Sequence, residues 1–269
     1  MNPEIDEPKK SRLAIALVIC GIVFAVQFSA SATSFTISNT VADAFLSGAA
    51  PTLNFGSAGT LAIAPASSPK GEFDSVIMFD TASAVSQFNT TYGPGNWTIT
   101  GVQLSLASNF GTAGVQPNNP LLPVIHGGGF GIDWLANNSW VEGTGGAMGG
   151  PGYPTNNSVS FDSISSLFAP GFDSLGTNTY APPGNNVYVN YSLPLDANLV
   201  AGARSGGAVS LYFYAADSQI GYLFNSREFT SNHPELTLTA APVPEPGALA
   251  MVASALSGCF VARRRRNRG

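Results

Sequence analysis

Apolar and polar residues alternate with period two in two clear stretches: Val102, Leu104 and Leu106 against Gln103 and Ser105, and Val209, Leu211 and Phe213 against Ser210, Tyr212 and Tyr214. Period-two alternation sends neighbouring side chains to opposite faces of a strand. The second stretch carries aromatics on both faces, which predicts a strand near the centre of a sheet. Runs rich in β-branched and aromatic residues predict further strands at 35–39, 41–46, 60–64, 73–79, 97–107, 122–125, 130–134, 187–193, 220–224 and 235–239. Gly and Pro punctuate these runs, and long amphipathic helical periods are missing. Two short helices are predicted: 196–204, opened by Asp196 after Pro194 and closed by Gly206-Gly207, and one or two turns at 162–168. Many short strands separated by turn residues predict an all-β fold, a β-sandwich of jelly-roll type with one short helix of consequence. The body is expected to be at least about one-third strand, with no helix longer than about 12 residues, against an ordinary 20–25% strand.

Both ends of the chain break this pattern. Lys9, Lys10 and Arg12 precede an apolar run at 13–26, and Ala30-Ser31-Ala32 follows. A cationic start, an apolar run of that length and a small-residue cleavage site describe a secretory signal peptide at 1–32. Cleavage after Ala32 makes Thr33 the first mature residue; the alternative is an uncleaved anchor. The far end reads Val243-Pro244-Glu245-Pro246, an apolar run from Gly247 to Ala262, and Arg263-Arg264-Arg265-Arg266. Two prolines around one acid hold the chain extended, because each lacks a backbone donor and has a fixed φ. The apolar run predicts a C-terminal transmembrane helix of roughly 24 Å, short for a hydrocarbon core of about 30 Å. The arginines keep its end in the cytoplasm. This order of parts, at 242–269, resembles the PEP-CTERM sorting signal. The resemblance implies an exosortase-type membrane protease as partner, a transient hold in the inner membrane, and release to the cell envelope, surface or matrix. A plain tail anchor is the alternative.

The charge count sharpens the picture of the body at 33–241. Twelve acids face three bases, Lys70, Arg204 and Arg227, so the body carries −9 although the whole chain carries −5. Nucleic acid is excluded as a partner, because phosphate binding needs clustered Lys and Arg. Asn, Ser, Thr and Gly must then form most of the wet surface, which suits sugars. Cys20 and Cys259 lie in the two terminal segments, so the body has no disulfide, thiolate metal site or cysteine nucleophile.

Candidate chemistry is sparse. His126 precedes Gly127-Gly128-Gly129, but no Gly-x-Ser-x-Gly elbow accompanies it, and His233 reads as a turn residue before Pro234. Two histidines and no thiolate do not make a zinc site. No cofactor is expected; a structural Ca²⁺ held by loop oxygens is the metal to consider. Trp134 and Trp140 bracket Asn137-Asn138 beside a Gly-rich loop, and one of them is a candidate sugar-stacking platform, with sandwich core as the alternative. Asp133 and Glu142 are the candidate paired carboxylates of a polysaccharide hydrolase or lyase.

One further pattern runs through the body. Asp43-Ala44-Phe45, Asn54-Phe55-Gly56, Ser75-Val76-Ile77-Met78-Phe79-Asp80, Trp140-Val141-Glu142-Gly143-Thr144, and Ser226-Arg227-Glu228 with His233-Pro234-Glu235-Leu236 follow in order. Together they resemble DNRLRE-type domains, with Ser75 where that family usually has Arg. The resemblance implies a jelly-roll sandwich related to carbohydrate-binding modules. Arg227 and Glu228 are expected on a strand, one of them buried and paired to fix sheet register. The reading is an exported, non-catalytic surface or matrix protein that binds, or is embedded in, extracellular polysaccharide.

Overall fold

Two antiparallel sheets face each other across one apolar core, in a computed structural model that describes residues 31–109, 128–146, 158–179, 184 and 186–243. The signal-peptide residues up to Ala30, the strand expected at 122–125, His126 and the tail from Pro244 to Arg266 lie outside the described residues. Residues 33–240 form one compact unit.

The four-stranded sheet has the order β1–β11–β5–β8, from β1 (Thr33–Ile37), β11 (Glu235–Pro242), β5 (Trp97–Ala107) and β8 (Tyr188–Leu193). The five-stranded sheet has the order β2–β4–β9–β6–β7, from β2 (Thr40–Ser47), β4 (Phe73–Asp80), β9 (Ala208–Ala215), β6 (Gly129–Leu135) and β7 (Phe172–Thr179). A two-stranded ribbon pairs β3 (Thr60–Ile63) with β10 (Tyr222–Asn225). The described chain is 46% strand and 15% helix, above the expected third.

The alternation seen in the sequence is the sidedness of the core. Val102, Leu104 and Leu106 of β5 meet Val209, Leu211 and Phe213 of β9 and Ile77 and Phe79 of β4 in the space between the sheets. β9 sits third of five strands, where two-faced aromatics predicted it, because the outer face of its sheet is covered as well. There Val76 and Met78 of β4, Leu46 of β2 and Tyr212 of β9 pack against Trp140, Val159 and Leu167. With both faces dry, β4 becomes a continuous buried run rather than an alternating one.

Among the described residues three α-helices occur where one of consequence was expected. α1 (Ala82–Tyr92) was not foreseen, and its reason is tertiary. Six of its eleven residues are Ser, Gln, Asn or Thr, and Thr90-Thr91 before the closing Tyr92 are poor in intrinsic helix propensity. Its inner stripe of Ala84 and Phe88 is buried, and Phe88 packs on Trp97 at 5.1 Å between ring centroids. The Trp97 indole N–H donates to Asn89 Oδ1 at 2.8 Å. The helix foreseen at 162–168 is a 3₁₀ turn, Phe161–Ser163, running into α2 (Ile164–Phe168). The helix foreseen at 196–204 is α3 (Ala197–Arg204), and Asp196 caps it by accepting from the amides of Asn198 and Leu199. β7 also escaped the pattern: it is an edge strand whose only buried residue is Leu175, so it shows no apolar alternation.

Candidate functional site

Three segments far apart in the chain converge beside the start of β2. Asp43 lies on β2 and is 1% exposed, Glu142 follows β6, and Arg227 and Glu228 lie in the turn after β10. The Asp43 amide donates to Glu142 Oε1 at 2.9 Å, and the Arg227 amide donates to Asp43 Oδ2 at 2.8 Å. The Arg227 guanidinium bridges the group: Nη2 meets Glu142 Oε2 at 2.9 Å, Nε meets Glu228 Oε1 at 2.6 Å, and Nη1 donates to the Val41 carbonyl at 2.6 Å. Ser226 closes the turn by donating its hydroxyl to Glu228 Oε2 at 3.1 Å.

The expectation that Arg227 and Glu228 face opposite sides of a strand is corrected. β10 ends at Asn225, and both side chains come from the turn and pair with each other. What fixes the turn is Asn225, fully buried, whose amide nitrogen reaches Asn186 Oδ1 and the carbonyls of Ser231 and Asn232. Glu142 is positioned by Asn54, also fully buried. Its Nδ2 donates to the carbonyls of Glu142 and Val159, and its Oδ1 accepts from the amides of Gly56 and Gly145. Gly145 is required here, since a Cβ would strike the Asn54 carbonyl. Asn54, Asp43, Glu142 and Arg227 are therefore one connected unit, although the sequence presented them as separate landmarks.

The cluster sets three carboxyl groups against one guanidinium. Burial pushes Glu142 up to about 7; the Asp43 amide opposes this, and the Glu228 charge adds to it. Burial likewise pushes Asp43 well above the usual carboxylate range, against the hydrogen bond from the Arg227 amide. Partial burial works against the Arg227 charge, but Glu142 and Glu228 outweigh it and raise its pKa further. Asp43, Glu142 and Glu228 can place one oxygen each within 4.8 Å of one another, a donor set of the kind Ca²⁺ takes. The Asp43 Oδ1 atom is buried without a hydrogen-bond partner. The guanidinium nevertheless already serves Glu142 and Glu228, so a cation at this point has to displace Arg227. The residues present fit an internal ion-pair network better than a Ca²⁺ cage.

Next to this network opens a polar cleft of about 270 Å³, walled by Ser38, Asn39 and Thr40 on one side and by Arg227, Glu228 and His233 on the other. His233 donates Nε2–H to the Phe229 carbonyl at 2.7 Å, and Tyr188 donates its hydroxyl to the His233 carbonyl at 2.7 Å. Ser38, Asn39 and Thr40 were not singled out from the sequence. Ser38 and Asn39 link β1 to β2 and Thr40 opens β2, a polar stretch which resembles any other connection until the Arg227 turn joins it at the cleft.

The other sequence candidates take different places. Trp140 is only 8% exposed, and its indole N–H donates to Ser210 Oγ at 3.0 Å, so it belongs to the outer core layer and is no surface platform. Trp134 is half-buried against the main core, close to Gly202 of α3. Asp133 neighbours Ser174 and Tyr214, whereas Glu142 is engaged by Asp43 and Arg227, so the two carboxylates keep separate company. Ser75, where the resembled family has Arg, is fully buried and ties β4 to β3 through the amide and carbonyl of Ala62.

Residues 242–266 match the PEP-CTERM protein-sorting motif. The motif implies export, processing by an exosortase-type membrane enzyme, and a destination in the cell envelope or at the surface. No curated protein matches the chain. Among the described residues, no helix is long and apolar enough to cross a membrane.

Proposed function

We propose that this chain is an exported, non-catalytic surface or matrix protein whose body binds, or is embedded in, extracellular polysaccharide. The sorting motif at 242–266 carries the reading, since it addresses the protein to the place where such polymers lie. The body is consistent with it: an antiparallel β-sandwich whose surface is rich in Asn, Ser, Thr and Gly and poor in charge. Within this proposal the sandwich is of jelly-roll type and akin to carbohydrate-binding modules. Residues 1–32 are a signal peptide cleaved before Thr33, the residue that opens β1. The apolar run before Arg263 holds the tail in the inner membrane until cleavage near Pro244–Pro246.

Fractionation of the native cell with intact-mass measurement tests the address. Mature protein beginning at Thr33, lacking residues after about 246 and found outside the inner membrane supports it. Replacing Pro244, Glu245 and Pro246 with Ala should leave full-length chain in the membrane fraction. Surface material still ending in Arg268-Gly269 would make the tail an ordinary anchor.

A further inference from the structure

The geometry points to the cleft between Ser38-Asn39-Thr40 and Arg227-Glu228-His233 as the saccharide site, one that takes the paired hydroxyls of neutral sugars and not uronates or sulfated chains. The inference rests on the polysaccharide reading above and adds to it a place and a chemical class.

The two walls differ in a way that suits a ligand. Arg227, Glu228 and His233 are held in place by the turn's own bonds: the guanidinium by Glu142, Glu228 and the Val41 carbonyl, Glu228 by Ser226, and His233 by the Phe229 carbonyl. Groups held this way lose little freedom on binding. Ser38 and Asn39 are exposed, and among the described residues their side chains have no hydrogen-bond partner. They present an unspent amide and hydroxyl across the cleft.

The remaining capacity is mixed in sign. A guanidinium has five N–H donors, and Arg227 uses three. Glu228 keeps lone pairs on both oxygens, and His233 keeps Nδ1 as an acceptor, because Nε2 carries the proton toward the Phe229 carbonyl. Asn39 and Ser38 each donate and accept. A sugar hydroxyl also donates and accepts, so a vicinal pair satisfies neighbouring donors and acceptors at once. A carboxylate or sulfate only accepts. It would compete with Glu142 and Glu228 for a guanidinium already offset by them, on a body that carries −9 (twelve acids against three bases). The cleft lies just below the roughly 300–1,000 Å³ of pockets that enclose whole drug-sized ligands. That volume suits a ring or two of a polymer whose remainder runs in solvent.

Affinity electrophoresis of the full chain in a polyoxyethylene detergent, which offers no sugar of its own, tests the site. The gels contain dextran, mixed-linkage glucan or galactomannan as neutral polymers, and alginate or hyaluronan as acidic ones. Retardation is expected in at least one neutral gel, and Asn39→Ala combined with Ser38→Ala should weaken it about tenfold. These side chains have no partner to lose, so the unfolding midpoint should stay at the wild-type value. Neutral-polymer binding left intact in the double variant would place the site elsewhere while the polysaccharide reading stands. Retardation by acidic polymers alone would overturn the ligand class. No retardation in any gel would remove the polysaccharide reading and this site with it.

Discussion

Replacing Asp74 with Asn should make the body relatively more stable the higher the pH, within a defined window. Asp74 lies on β4 and is 3% exposed. Its Oδ2 accepts the Tyr212 hydroxyl at 2.5 Å, and its Oδ1 is buried without a partner. Burial raises its pKa from 3.8 to about 7, the Tyr212 bond opposes the rise, and the Glu72 charge adds to it. The sign follows from linkage. Below about 4 the carboxyl is protonated in both states and contributes no difference. Between about 4 and about 7 the unfolded chain releases the proton while the folded chain keeps it, so stability falls as pH rises. One pH unit of displacement corresponds to about 1.4 kcal/mol. The ionised Asp74 then costs the fold on the order of 4 kcal/mol at most, and about 2–4 kcal/mol once local water and denatured-state structure are allowed for. That is a large share of the roughly 5–15 kcal/mol typical of a domain. Asn cannot ionise and still offers Tyr212 a carbonyl acceptor; its unpartnered amide adds an offset that does not vary with pH. Urea unfolding of residues 33–241 followed by circular dichroism from pH 4 to 8 reads the effect. The stability of Asp74→Asn minus that of the wild type should climb by about 2–4 kcal/mol across the range and then level off. A flat difference within about 0.5 kcal/mol, or one that declines with pH, would refute the reasoning.

Other expectations come from the same geometry. Arg227→Met leaves three carboxylates close together without their guanidinium. It should cost about 2 kcal/mol at pH 7.5, between the values for exposed and buried pairs; thermal melting should also show stabilisation by Ca²⁺ that the wild type lacks, and an unchanged midpoint would count against the network. Trp140→Ala should cost about 3–5 kcal/mol, whereas Trp140→Phe, losing chiefly the bond to Ser210, should cost about 1 kcal/mol; denaturant titration separates a core indole from a surface platform, whose loss would barely register. Gly145→Ala pushes a methyl group into the Asn54 carbonyl and should destabilise by about 1–3 kcal/mol, read as a lowered melting temperature.

The parts of this protein legible in the sequence are those with a local physical code. A strand with one face on the core must alternate, so β5 and β9 announce themselves, and Asp196 caps α3 wherever that helix packs. The sorting motif at 242–266 is a matter of residue order, so the sequence alone reveals it. α1 was not legible, because its run of Ser, Gln, Asn and Thr hides the helical period, and the packing of Phe88 on Trp97 is a tertiary contact. β7 was not, because an edge strand in water needs no apolar period. Trp140 looked available for stacking until it was seen, with Val159 and Leu167, to pack on the outer face of the five-stranded sheet. The candidate site shows the same division. Asp43 was visible in a motif, yet its links to Glu142 and to Arg227 span 99 and 184 positions. No pattern of neighbours encodes such a meeting. It exists because β2, the segment after β6 and the turn after β10 meet in the fold, and only the tertiary structure could bring Ser38 and Asn39 to the same cleft as Arg227.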